Sequence, residues 1–296
     1  MGFKPHKHLI EIINLRTRER IYMPYIKEIC VAGSVVTIRR YHTLRYNCKG
    51  ERRENREKPT TEVQRAINTR AATRKLAGLM NTNWRDDTGM LVTYTYARDS
   101  RPPTPDDMNI DIRNLLKKLR KAVPNIKYIY VKEIGKKGAH HIHMIMDMCD
   151  IQILKKCWGK GYVDVKPLDS DNDYTRIAEY FIKYSAKTED ATGKVGRRWN
   201  PSRNLKKPVV IKKIVNANTF ADKARKSTIR KYENKGFYLV TGSEVSGVSE
   251  LGFRYYEAKF RKGRKDAESK YIHKDVSQRS SNKKMCNVYV CNQDGY

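Results

Sequence analysis

His141 and His143 stand two residues apart in Val131–Asp147, VKEIGKKGAHHIHMIMD, which reads as two strands around a Gly-Lys-Lys-Gly turn. Side chains on a strand repeat every two residues, so His141, His143 and Ile145 share one face while Ile142, Met144 and Met146 share the other. One face can enter a core as the other presents two imidazoles. With Glu133 on the neighbouring strand, such a pair can hold one divalent metal and leave positions open. Glu133 carries a parity condition. A five-residue loop Gly135–Ala139 pairs Ile134 with His140 and Glu133 with His141, on the metal face. A two- or four-residue loop sets Glu133 opposite His140 and changes the third ligand.

A second reactive pair follows in Glu179–Lys187, EYFIKYSAK. Tyr180 and Tyr184 are four apart and share a helix face, with Lys183 and Lys187 close to it. A phenol titrates near pH 10, so roughly one in a thousand is ionised at neutral pH. As a nucleophile it needs cations beside its oxygen or beside the group it attacks. Lysines on the helix and a metal across the cleft supply both. Each pair alone also suits a bland role, as surface histidines or as an aromatic pair packing on a helix.

Elements that position these residues are legible around them. Met90–Ala97, MLVTYTYA, is rich in β-branched and aromatic residues and reads as a strand. Thr104-Pro105-Asp106-Asp107 is a capping box that opens a helix with the stripe Met108, Ile112, Leu115, Leu116, Leu119 and Val123, ended by Pro124. Tyr128–Ile134 and the histidine strand follow. Ile151–Trp158 is a short helix stopped by Gly159 and Gly161, Tyr162–Val165 a strand and Tyr174–Ala186 a helix. The fold class is α+β, a central antiparallel sheet with helices mainly on one face.

Upstream, Ile29–Arg39 reads as a hairpin turning at Gly33-Ser34, and Tyr41–Lys58 as a loop. Thr61–Leu79 has helical spacing, with Val63, Ile67, Ala71 and Leu76 expected inward and Arg65, Arg70, Arg74 and Lys75 outward. Downstream, Val195–Lys213 reads as a basic linker or DNA-contacting loop containing Trp199. Phe237–Thr241 and Phe253–Phe260 have strand character, and the tail from Arg261 is expected to be partly disordered.

Lys and Arg total 62 against 32 Asp and Glu, a net charge of +30 spread along 296 residues. That points to a polyanion, nucleic acid first. A membrane is not expected as a partner, since no basic amphipathic anchor, transmembrane run or signal-peptide core stands out. Six scattered cysteines without a C-x-x-C pair imply a reduced cytosol and no structural zinc. Cys149 and Cys157 read as small core residues. The chain has no G-x-x-x-x-G-K-[ST], hence no Walker-type ATPase.

A TYTY strand, a His-hydrophobic-His strand and a Tyr-x-x-x-Tyr-x-x-Lys helix, in that order, resemble the three motifs of the HUH endonucleases. Among them the chain is similar to rolling-circle replication initiators of phages, plasmids and related mobile elements. Conjugative relaxases put the tyrosine before the histidine strand. The resemblance covers about residues 90–188 and implies an HUH/RRM-like βαββαβα core. It divides the chain into a basic N-terminal extension (1–85), a nicking domain (86–200) and a basic C-terminal extension (201–296).

It also implies roles. His141, His143 and Glu133 would bind Mg²⁺ or Mn²⁺, Tyr184 would attack the scissile phosphate of single-stranded origin DNA, and Lys187 would assist, with Lys183 nearby. Tyr180 would serve a second, rejoining transfer. His140 would face DNA or lie beside the ligands. A separate host helicase and polymerase, in a bacterial cytoplasm, would complete replication. An HUH transposase would use the same chemistry at another target. A non-catalytic module would instead stack single-stranded bases on sheet aromatics such as Tyr94 and Tyr96.

Overall fold

A computed structural model describes residues 10–13, 20–23, 25–43, 61–85, 87–135, 139–168, 173–192, 197–249 and 252–263. Four strands come first: β1 (Ile10–Ile13), β2 (Arg20–Met23), β3 (Tyr25–Ala32) and β4 (Val35–His42). Helix α1 (Glu62–Asn83) leads to β5 (Gly89–Tyr96), α2 (Pro105–Ala122), β6 (Tyr128–Ile134) and β7 (His140–Asp147). Then come α3 (Ile151–Trp158), β8 (Gly161–Pro167), α4 (Thr175–Thr192), β9 (Asn200–Pro201) and β10 (Val209–Val215). The described chain closes with α5 (Asp222–Glu233), β11 (Phe237–Leu239), β12 (Val245–Val248) and β13 (Arg254–Lys262). Of the loop expected over Tyr41–Lys58, Tyr41 and His42 instead end β4, and Arg261 and Lys262 of the expected tail end β13, while 44–58 and the chain beyond 263 lie outside the described residues.

The α+β class holds, with the expected βαββαβα order from β5 to α4. Five antiparallel strands run β8-β5-β7-β6-β9, with the histidine strand β7 at the centre. Helices cover both faces of this sheet rather than mainly one. The strand sequences require it, because β5, β6 and β7 are apolar on both sides. Met90, Val92, Tyr94, Ile142, Met144 and Met146 bury against α2 and α3. Ile129, Val131 and Ile145 bury against α1 and α4.

The local signals act as the chemistry dictates. Thr104 caps α2 by accepting from the Asp107 N–H at 3.2 Å, with Pro105 at the first helical position. Gly159 ends α3 in the left-handed region at φ 62°, which suits a residue without Cβ.

Helix α1 is capped by Thr61 as its spacing suggests, but its buried face differs from the expected one. Val63, Ile67 and Ala71 are exposed and only Leu76 of the expected four is buried. Burial concentrates in Leu76, Ala77, Gly78 and Met80, where α4 and β3 reach the helix. Its first half projects past them.

The two chain extensions meet in one sheet, β10-β3-β4-β13-β11, with β12 paired to β13. Gly33, at φ 60° in the β3–β4 turn, passes so close to the Asn81 carbonyl oxygen that a Cβ would stand 2.2 Å from it. Val209–Val215, expected within a linker, is the edge strand of this sheet, and α5 covers part of its other face. No described helix is long and apolar enough to cross a membrane. The described cysteines, Cys30, Cys149 and Cys157, are free.

Candidate active site

Strand register assembles the site. On β7, His141 lies opposite Thr95 of β5 and Glu133 of β6, while His143 lies opposite Thr93 and Val131. The reversal between β6 and β7 is the five-residue one, closed by the Gly135 N–H donating to the Ala139 carbonyl at 2.7 Å. Ile134 therefore pairs with His140, and Glu133 joins the histidine face. From there Glu133 reaches diagonally, its Oε2 lying 2.7 Å from His143 Nε2. The two side chains are only 12% and 10% exposed, so the contact is shielded from water. The imidazoles of His141 and His143 lie 6.1 Å apart between centroids.

The other imidazole nitrogens are held from β5. Thr95 Oγ1 and His141 Nδ1 are hydrogen-bonded at 3.0 Å, and Thr93 Oγ1 and His143 Nδ1 at 3.2 Å. A hydroxyl both donates and accepts. When His143 donates from Nε2 to Glu133, its Nδ1 accepts from Thr93. When Nε2 must offer a lone pair, Nδ1–H donates to the same oxygen. The hydroxyls thus fix both ring planes while permitting either tautomer.

Helix α4 brings the tyrosines over this face. Ala178, Phe181, Ile182 and Ser185 form its buried stripe, with Tyr174 buried just before it, packing toward β6 and α1. Thr188 Oγ1 donates to the Lys132 carbonyl at 2.7 Å and ties the helix to β6. Tyr184 falls at the edge of the stripe, its ring stacked on His143 with centroids 4.1 Å apart and planes 12° apart. Tyr180 lies one turn back, 6.3 Å from the Tyr184 ring and 58% exposed. Lys183 is exposed. Lys187 is on α4 one turn beyond Tyr184, and its side chain lies outside the described residues.

Glu133, His141, His143 and Tyr184 are thus brought together, with Tyr180 at the rim. The sequence reading missed Thr93 and Thr95, although the T-Y-T-Y alternation held the signal. It sends threonines to one face and tyrosines to the other. Tyr94 and Tyr96 accordingly lie on the opposite face, 0% and 3% exposed, beside Trp158. Burial pushes both phenols well above their usual range. They are core residues, unable to stack nucleic-acid bases. His140 sits edge-on to Tyr96 at 6.3 Å, on that same side.

Two imidazoles and a carboxylate are the donor chemistry of a divalent ion such as Mn²⁺. In the structure Glu133 contacts His143 directly, and no group of three His, Cys, Asp or Glu among the described residues stands ready to hold a metal ion. The donor set fits by type and by shared face, with Glu133 and His143 bonded to each other.

Residues 89–189, about a third of the chain, match the family model "Replication-associated protein ORF2/G2P". The matched segment runs from the start of β5 into α4 and includes every residue of the site. Comparison with curated proteins and with solved structures gives no match for the chain.

Proposed function

We propose that this protein initiates replication by nicking single-stranded origin DNA through Tyr184, and later rejoins the strand. The observation that carries the reading is the Tyr184 ring stacked on His143, inside the segment similar to replication-associated proteins. The charge of +30 suits a DNA substrate.

In the proposed reaction the Tyr184 phenol oxygen attacks the scissile phosphorus, and the bond from phosphorus to the 3′-oxygen breaks. The phenolic proton leaves to solvent. Lys187 orients the phosphate or gives a proton to the departing oxygen. The products are a 5′-phosphotyrosine and a free 3′-OH that a polymerase extends. One phosphodiester bond is exchanged for another, so the step needs no ATP. Tyr180, exposed one turn away, serves the second transfer, and Lys183 adds positive charge at the rim.

His141, His143 and Glu133 would hold Mg²⁺ or Mn²⁺, which supplies Lewis-acid neutralisation of charge on the phosphate when bound. Thr93 and Thr95 orient the two imidazoles from behind, and the hydroxyl of Thr93 accommodates the tautomer with a free Nε2 on His143.

Incubation with a single-stranded origin oligonucleotide and Mn²⁺, followed by a denaturing gel, tests the reading. Wild type gives a covalent adduct, Tyr184→Phe gives none and Tyr180→Phe retains it. Adduct kept in Tyr184→Phe but lost in Tyr180→Phe transfers the role to Tyr180. Binding without adduct under any divalent metal sinks the nicking chemistry.

A further inference from the structure

We infer that a concavity beside the first half of α1 binds a nucleotide of the single-stranded DNA flanking the cut, its base on Trp199 and its phosphate on Arg197 and Arg198. The cavity measures about 520 Å³ and is lined by Asn68, Ala72, Arg197, Arg198, Trp199 and Pro201. That is the size range of small-molecule pockets, and none of its lining side chains is a carboxylate.

Its placement follows from the sheet. β9 pairs with the outer edge of β6, Pro201 opposite Ile129 and Asn200 opposite Tyr130. Trp199, just before β9, packs partly against the apolar cluster beneath α1 and α4, on the same side of the sheet as His141 and His143. Packing holds the indole in place and leaves it half-buried. Arg198 is steadied by its Nη1 donating to Thr69 Oγ1 of α1 at 3.4 Å, while Arg197 is exposed. Arg65, also exposed, lies on the α1 stripe that carries Asn68 and Ala72, and extends the cationic rim. A rigid indole flanked by guanidinium groups is the chemistry that takes an unpaired base and its phosphate, without regard to sequence.

The inference rests on single-stranded DNA being the substrate, the reading given above, and it is tested apart from cleavage. Trp84 and Trp158 are 2% and 3% exposed, so Trp199 is the accessible indole of the three in the chain. The full chain, kept from cutting by a chelator, is titrated with a thymidine oligonucleotide. Tryptophan fluorescence and the anisotropy of a labelled strand are followed together.

Binding quenches wild-type fluorescence in step with the anisotropy, and Trp199→Phe binds with most of the affinity but without the quench. Trp199→Ala weakens binding about tenfold. Arg197→Ala weakens it several-fold and lowers the salt slope by about one. Strand bound without quenching overturns the inference, as does a duplex that quenches as fully as the single strand. An adduct formed without quenching removes the pocket and keeps the nickase. Quenching without adduct under any metal does the reverse.

Discussion

The two large sheets are held by different forces, and the difference explains where the chemistry sits. The five-stranded sheet is packed with apolar side chains on both faces, so β7 has little freedom and carries its imidazoles on a rigid support. The six-stranded sheet buries one face around Val36, Ile38, Ala258 and Phe260, against Phe220 and α5. Arg40 is buried there too, donating to the Thr219 carbonyl at 2.6 Å and to the Thr228 hydroxyl, over the Tyr256 ring. Its other face, toward α1, joins charged side chains to the buried Ile26, Ala32 and Val35. Arg39 pairs with Glu28 at 3.1 Å and with Glu257 at 3.2 Å, and the Tyr41 hydroxyl donates to Glu28 at 2.9 Å. Burial and the Glu28 charge push that phenol up to about 12. Lys259 of β13 reaches Asp173 at the start of α4, at 2.7 Å. One sheet is thus built by apolar burial, and the other is docked on it through ion pairs as well as close apolar contact with α1. The matched segment holds four of the first sheet's five strands, β5 to β8.

The largest expected effect comes from breaking the apolar side. Met144 is fully buried beneath the histidines, and Met144→Ala removes buried methylenes from a layer closed by helices. The expected loss is about 2–5 kcal/mol, read as a lower thermal or denaturant midpoint. A loss well below that range would mean the sheet can collapse around a void, and the rigidity ascribed to it would fail.

A smaller effect is expected where the sheets join. Burial raises the Asp173 carboxyl, but the Lys259 charge and the hydrogen bonds from Lys259 and Thr175 outweigh it and hold the pKa below the usual value. The folded pKa therefore lies below the unfolded value of about 3.9, so the stabilisation is complete above that pH and fades as pH falls through the folded pKa. Asp173→Asn should cost about 1–3 kcal/mol at neutral pH. The gap to wild type should stay flat at neutral pH and shrink below about pH 4. A gap that widens in acid contradicts the assignment.

This contrast also explains what the sequence could reveal. The elements from β5 to α4 were legible because their signals are local: the Thr104 cap, Pro124, Gly159, and alternation in the strands. Loop parity at Gly135–Ala139, which the sequence left open, puts Glu133 on the histidine face. The threonine contacts needed the β5–β7 register, which no local pattern states. In the second sheet, β4 pairs with β13 across more than two hundred residues, Val36 with Phe260, so β3, β4, β11 and β13 were visible while their partnership was not. Helix α5 passed unseen because Thr228 is its one buried residue and its sequence reads as a charge run. On α1, Val63 and Ile67 kept the spacing of a buried stripe without a layer to cover them.

The smallest effect sharpens the comparison by separating ions from packing. Arg74 of α1 stands 3.7 Å from Glu257 of β13, a carboxylate that Arg39 already engages more closely. Burial, then the nearby Arg39 charge, hold the Arg74 pKa below its usual value, so its attraction to Glu257 is partly offset. Arg74→Ala should therefore cost only about 0.2–1 kcal/mol at low salt. Screening lengths fall to about 3 Å near 1 M salt, so there the wild-type advantage should largely vanish, while the Met144→Ala deficit should persist. Melting both variants at low and high salt checks this. If the Arg74→Ala deficit survives high salt undiminished, its side chain acts through the stem packed between the sheets rather than through its charge.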